Sequence, residues 1–236
     1  MAVSRGLLVL GMHRSGTSCL TGLLATAGAW IGAPVVPDPA PKRSRRNEDV
    51  EVRKLNNRLL KGAGGRWNSP PESVEVDDAT RATMQALLAG YAEHPLWALK
   101  DPRMILMVDH WLPVLGSVEL IGTYRHPMAV ARSHLERDDM PIMNALKLWH
   151  RYNQELVRHH RRQAFPLVSF DRVGEPYLQQ FEKLATGLGM AYDRDKARAF
   201  YTTNFIRNAG QAGEPVAAEC AETYEYLVRH TIPLDG

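Results

Sequence analysis

Four apolar residues, Leu7-Leu8-Val9-Leu10, run straight into Gly11-Met12-His13-Arg14-Ser15-Gly16-Thr17-Ser18, and apolar residues at Leu20, Leu23, Leu24 and Ala27 come next. A short unbroken apolar run fits a strand buried on both faces, and the later spacing fits a helix. Strand, glycine turn and helix in immediate succession is the opening unit of an α/β fold. The remainder repeats the pattern. Apolar runs at residues 96–99, 118–124 and 167–170 alternate with helical patterns at 47–61, 77–91, about 103–112, 128–137 and 142–162, and two or three helices close the chain. Strands separated by helices predict an α/β, P-loop-like three-layer fold with a central parallel sheet flanked by helices.

Residues 1–236 read as a single domain, because 236 residues suffice for one sizeable core and no linker or repeat interrupts them. The exception to regular patterning is residues 33–46, which hold four prolines and the run Lys42-Arg43-Ser44-Arg45-Arg46. That segment reads as a loop inserted near the site. The net charge of +3 is too small to argue for nucleic acid, and it suits an anionic small ligand. Two cysteines, Cys19 and Cys220, do not make a disulfide framework, and Cys19 reads as a small buried hydrophobe. No segment approaches the roughly 20 apolar residues of a membrane span. The expected location is therefore cytoplasmic.

In open α/β sheets ligands bind beyond the carboxyl ends of the strands. Three such ends, after Leu10, Leu99 and Tyr124, carry glycine or charge clusters. The first has the G-x-x-x-x-G spacing of a phosphate cradle, in which inward backbone N–H groups and a helix N-terminus attract an anion. The lysine that an ATP-binding loop carries after its second glycine is Thr17 here, so Arg14 is the loop's strong cation. A tight strand-to-helix turn without a ligand shares the glycine spacing; Arg14, three hydroxyls and the helix start favour an anion. After the third strand, Arg125 is followed eight residues later by Ser133 on the next helix, and Pro127 suits that helix's first turn. A guanidinium fork with a hydroxyl can take a second phosphate, although a surface arginine and an unrelated helix serine fit these residues by themselves at least as well.

G-M-H-R-S-G-T-S followed by R-H-P-x-x-V-A-R-S resembles the sulfotransferase superfamily, and in particular its bacterial members and the tyrosylprotein sulfotransferases with an R-S-G-T type of loop. The likeness runs from Leu7 to Asp171 and includes W-A-L-K-D-P-R and L-W-H-R-Y-N. It implies a 3′-phosphoadenosine-5′-phosphosulfate (PAPS) donor. Arg14, Ser15, Gly16, Thr17 and Ser18 would hold its 5′-phosphosulfate end, and Arg125 and Ser133 its 3′-phosphate. The implied product is adenosine 3′,5′-bisphosphate, and the implied partners are that nucleotide and a hydroxyl-bearing acceptor, a carbohydrate or small metabolite. No metal is expected, since Arg14 and the loop amides can match the leaving phosphate's charge. The resemblance also aligns Glu48 with an acidic residue that precedes an E-x-x-x-V-x-x-L-N helix and acts as the acceptor's base. Asp49 and His13 stand as alternatives, and both acidic residues can equally serve a helix N-terminus.

Asp101 and Arg103 fit an ion pair, an orienting role or an acceptor contact. Trp149 and Tyr152 read as core, and residues 158–162 as a solvated helix end. Two other functions stay open on the residues. One is a P-loop phosphotransferase with Asp101 holding a metal; the other is a non-catalytic nucleotide-binding protein.

Overall fold

A computed structural model describes residues 4–32, 47–205 and 215–234. The Pro/Arg-rich stretch at 33–46 lies outside the described residues. Strands β1 (Arg5–Leu10), β2 (Leu96–Lys100), β3 (Val118–Tyr124) and β4 (Leu167–Ser169) form one parallel sheet in the order β2-β1-β3-β4. Leu8 lies opposite Leu99 on one side and Leu120 on the other. The chain thus leaves β1 for β2 on one flank and reaches β3 on the opposite flank. Connections that diverge this way open a crevice at the carboxyl end of the strand between them.

Strand side chains alternate between faces, and both faces of β1 are apolar. Leu8 and Leu10 join a core with Leu99, Trp111, Trp149 and Tyr152. Leu7 and Val9 join another with Leu20, Leu23, Tyr177 and Phe181. The second face is covered by α1 (Thr17–Thr26), α7 (Glu175–Gly187) and α8 (Arg194–Phe205). The first face carries α2 (Val50–Gly62), α3 (Asp78–Leu88), α4 (Val108–Leu115), α5 (Pro127–Asp138), α6 (Ile142–Arg162) and α9 (Ala218–Arg229). The result is the expected three-layer sandwich with a central parallel sheet. Backbone from outside the strands caps both sheet edges. Trp30 exchanges hydrogen bonds with β2 (2.9 Å to the Leu96 carbonyl, 2.7 Å from the Ala98 amide), and the Ile232 amide donates to Leu167 at 3.0 Å. Such cover protects strand edges from pairing with other chains.

Several boundaries differ from the sequence reading. Helix α2 starts at Val50, not Asn47, because the Asp49 carboxylate accepts the amides of Glu51 and Val52 at 2.9 and 3.0 Å and so defines the cap. The pattern at 77–91 divides into α3 and a short 3-10 turn at Tyr91–Glu93. Residues Pro102–Leu106 likewise form a 3-10 turn before α4. The end of α6 is solvated only at its arginines. Arg158 and Arg162 pair with Asp109, while His159 and His160 turn inward and are buried. Cys19, Trp149 and Tyr152 are buried, as expected. Among the described residues no helix is long and apolar enough to cross a membrane.

Candidate functional site

The loop from Gly11 to Gly16 lies against β3 and the segment after β4, and its glycines make that contact possible. A Cβ on Gly11 would stand 2.4 Å from the Thr123 carbonyl oxygen. At Gly16, where φ is +83°, a Cβ would stand 2.4 Å from the Phe170 ring. Arg14 also adopts a left-handed conformation, φ +68°, which is uncommon outside glycine and recurs at binding loops. Thr123 Oγ1 donates to the Ser15 carbonyl at 2.9 Å and fixes the loop from below. Helix α1 begins at Thr17 without a side-chain cap, so its first-turn amides have no helical acceptor. The Ser15 Oγ is buried and has no hydrogen-bond partner among the described residues. These are the features of an anion cradle: amides at a helix start, a spare hydroxyl and the positive end of a helix.

The second cluster begins where β3 ends. His126 caps α5, its Nδ1 accepting the Met128 amide at 3.3 Å, and Pro127 occupies the first helical position. Arg125 precedes the cap and Ser133 lies along the helix. The two clusters meet: Arg14 Nε donates to Ser133 Oγ at 2.8 Å. The Arg125 guanidinium lies 5.6 Å over the Phe170 ring, the ring that fills the space above Gly16. Its Nε is buried without a partner among the described residues. Burial draws both guanidiniums below their ordinary range, and for Arg14 the charges of Arg137 and Arg125 act in the same direction. Nearby like charges in a partly desolvated crevice favour an anion between them.

The strand-end cluster after β2 brings a further cation to the same place. Lys100, fully buried, donates to Ser18 Oγ at 3.2 Å and to Glu48 Oε1 at 3.1 Å. Its ammonium stands beside the start of α1, where the loop itself has no lysine. Burial pulls its pKa below the ordinary value, and the Glu48 carboxylate opposes that shift. Sequence reasoning did not single out Lys100. Its signal was position: a strand-end lysine next to a cradle that lacks one.

Glu48 and Asp49 separate into different tasks. Both Asp49 oxygens are engaged, one by the α2 amides and the other by the Tyr91 hydroxyl at 3.0 Å. Glu48 is buried against Lys100. Its Oε2 lies 3.9 Å from Arg103 Nη1 and is buried with no hydrogen-bond partner among the described residues. Arg103 also forms the ion pair with Asp101 at 2.7 Å and bonds Asn57 through Nε at 2.7 Å. Asn47 ties this segment to α1 by donating to the Ser18 carbonyl at 2.9 Å. The His13 ring packs on Trp67 at 4.7 Å between centroids and against the edge of Tyr152 at 5.7 Å. The backbone of Trp67 is held by the Tyr152 hydroxyl, 2.7 Å from its carbonyl.

A family model described as the sulfotransferase family matches residues 6–194, which include every one of these groups. The chain belongs to the sulfotransferase family. Solved structures of sulfotransferases share its fold. The sulfotransferase domain of the Synechococcus PCC 7002 olefin synthase is 17% identical, with a TM-score of 0.59, and the match covers 99% of this chain and 98% of that one. Sulfotransferase STF9 from Mycobacterium avium is 15% identical, with a TM-score of 0.56 and coverage of 100% and 79%. Sulfotransferase STF1 from Mycobacterium tuberculosis H37Rv is 16% identical, with a TM-score of 0.54 and coverage of 95% and 77%. No curated protein matches the sequence closely enough to count as a relative. In this sulfotransferase hydrogen bonds join the cradle to the Arg125 cluster through Arg14 and Ser133, and to the Glu48–Lys100 pair through Ser18, at the carboxyl ends of β1, β2 and β3.

Proposed function

We propose that this sulfotransferase transfers a sulfuryl group from PAPS to an acceptor hydroxyl. The observation that carries the reading is the joining of two anion sites through the 2.8 Å bond between Arg14 and Ser133. A nucleotide with phosphates at its 5′ and 3′ positions needs two cationic sites at fixed separation. The orphaned Ser15 Oγ and Arg125 Nε suit such a ligand.

Loop amides of residues 15–18 and Arg14 would hold the 5′ end, and Arg125 with Ser133 the 3′-phosphate. Bound there, the nucleotide would supply an activated sulfuryl group with a phosphate as leaving group. Arg14 and Lys100 place positive charge where negative charge grows during transfer, and preorganised donors of this kind provide much of the rate enhancement. Glu48 Oε2, the carboxylate oxygen with no hydrogen bond, receives the proton of the acceptor hydroxyl. Lys100 on Oε1 keeps that carboxylate pointed at the cradle. His13, packed between Trp67 and Tyr152, forms part of the wall beside the loop. Family resemblance alone supports a carbohydrate or small metabolite as acceptor, and two free cysteines agree with a cytoplasmic location.

Thermal-shift titration tests the donor assignment. Adenosine 3′,5′-bisphosphate should raise the melting temperature more than AMP or Mg-ATP at equal concentration. Transfer of label from sulfur-labelled PAPS to a panel of hydroxyl acceptors tests the chemistry. Equal shifts for bisphosphate and AMP, or label transfer from ATP in place of PAPS, would overturn the reading.

A further inference from the structure

We propose that Asp171 and Tyr224 are positioning residues for Arg125, so that the C-terminal helix α9 takes part in recognising the 3′-phosphate. This inference rests on PAPS being the donor.

The peptide plane that joins Arg125 to His126 is gripped at both ends. Its carbonyl oxygen accepts from Trp149 Nε1 at 2.8 Å, and its N–H donates to Asp171 Oδ1 at 2.8 Å. The preceding plane is held as well, since the Tyr124 carbonyl accepts the Phe170 amide at 2.8 Å. Both torsions at the Arg125 Cα are therefore determined by residues distant in sequence. With the backbone fixed, the guanidinium is set over Phe170 beside the cradle. Displacing a charged group by about 1 Å in a positioned site can cost as much as 100-fold in rate.

Asp171 is itself held. The Tyr224 hydroxyl donates to Oδ2 at 3.1 Å, and Ser169 Oγ lies 3.4 Å from the same oxygen. Tyr224 belongs to α9, and its ring packs against His126 at 5.0 Å, Tyr124 at 6.0 Å and Trp149 at 6.3 Å. It thus touches the residues before and after Arg125 and the tryptophan that holds its carbonyl. Farther along the chain, Thr231 accepts or donates at 2.6 Å to the Tyr124 hydroxyl, which seats the segment after α9 on β3. A buried carboxylate is costly unless its oxygens are satisfied. Here each oxygen is used, one on the Arg125 peptide and the other on α9. No local pattern marks this pairing, because 53 residues separate Asp171 from Tyr224.

The test compares affinities for adenosine 3′,5′-bisphosphate and AMP, which differ by the 3′-phosphate. Asp171→Asn keeps an oxygen to accept the His126 amide and removes the charge. Asp171→Ala removes the acceptor, and Tyr224→Phe removes one anchor while keeping the ring. The bisphosphate-to-AMP affinity ratio should fall roughly tenfold in Asp171→Ala, the equivalent of one lost hydrogen bond of about 1.4 kcal/mol. It should fall about threefold in Tyr224→Phe and stay near wild type in Asp171→Asn. A general loss of fold would weaken both nucleotides alike and leave the ratio unchanged. An unchanged ratio in folded Asp171→Ala overturns the proposal, as does an Asp171→Asn ratio as low as that of Asp171→Ala. If Asp171→Ala does not fold, Tyr224→Phe decides: a wild-type ratio in that variant overturns the proposal. A wild-type protein without preference for the bisphosphate would instead remove the donor reading, and this inference with it.

Discussion

Replacing Lys100 by Met should strand a buried carboxylate, and the cost can be worked from the geometry. The Lys100 side chain is 0% exposed and that of Glu48 7%. Removing one member of a buried ion pair costs about 3–5 kcal/mol, because the other charge is left without its counterion. The lower end applies here, since Arg103 Nη1 remains 3.9 Å from Glu48 Oε2. For a chain of this size about 3 kcal/mol corresponds to a fall in melting temperature of about 6–12 °C. Adding Glu48→Gln to Lys100→Met removes the stranded charge and should recover much of the loss, for a coupling energy of about 2 kcal/mol. Lys54 and Glu51 supply the contrast. They sit 2.7 Å apart but are 62% and 59% exposed, so Lys54→Met should cost less than about 0.5 kcal/mol. Urea unfolding of the four cycle members and the control at pH 7 measures each of these energies. If the Lys100 and Glu48 substitutions add to within about 0.5 kcal/mol, the two residues do not interact as the structure places them, and the buried pair is refuted.

Arg14→Ala should lower turnover by roughly 10²–10³ and also weaken the bisphosphate, because Arg14 acts on the donor and on the growing charge; steady-state kinetics with calorimetry separate the two effects. Glu48→Gln should lower turnover by about 10²–10⁴ with bisphosphate affinity nearly unchanged, and near wild-type turnover would turn attention to His13. Transfer activity should survive EDTA, measured as label transfer before and after chelation; full loss restored by Mg²⁺ would favour a phosphotransferase. Burial holds His134, His159 and His160 below their ordinary value of 6.5, with Asp138 opposing the shift at His134 and Arg158 and His230 reinforcing it at the other two. The unfolded chain then binds more protons as pH falls below 6.5, so stability is complete above that value and declines beneath it, by at most about 1.4 kcal/mol per histidine per pH unit. Changing the three histidines to Gln should flatten urea-unfolding stability between pH 7 and 5, and an unchanged slope would contradict the assignment.

Much of the architecture was legible in the sequence because its signals are local. A continuous apolar run marks a strand buried on both sides, helical spacing marks the element after it, and glycines at 11 and 16 mark a backbone that must approach β3 and Phe170 closely. The same locality made Gly11 to Ser18, Arg125 and Ser133 readable as a cradle and an Arg–Ser pair. It also led to overextended helices, since a pattern of apolar spacing does not reveal where a cap such as Asp49 takes over the amides. The assembly of the crevice was decided by the sheet order β2-β1-β3-β4. Placing β2 beside β1 brings Lys100 to Ser18 and Glu48, residues separated from it by 82 and 52 positions. Placing β3 on the other side brings Ser133 to Arg14, 119 positions away. Glu48 and Asp49 are adjacent acids with the same chemistry. Only the folded chain makes one the cap of α2 and sets the other on Lys100, because a side chain's role depends on which neighbours the packed chain sets within hydrogen-bonding reach.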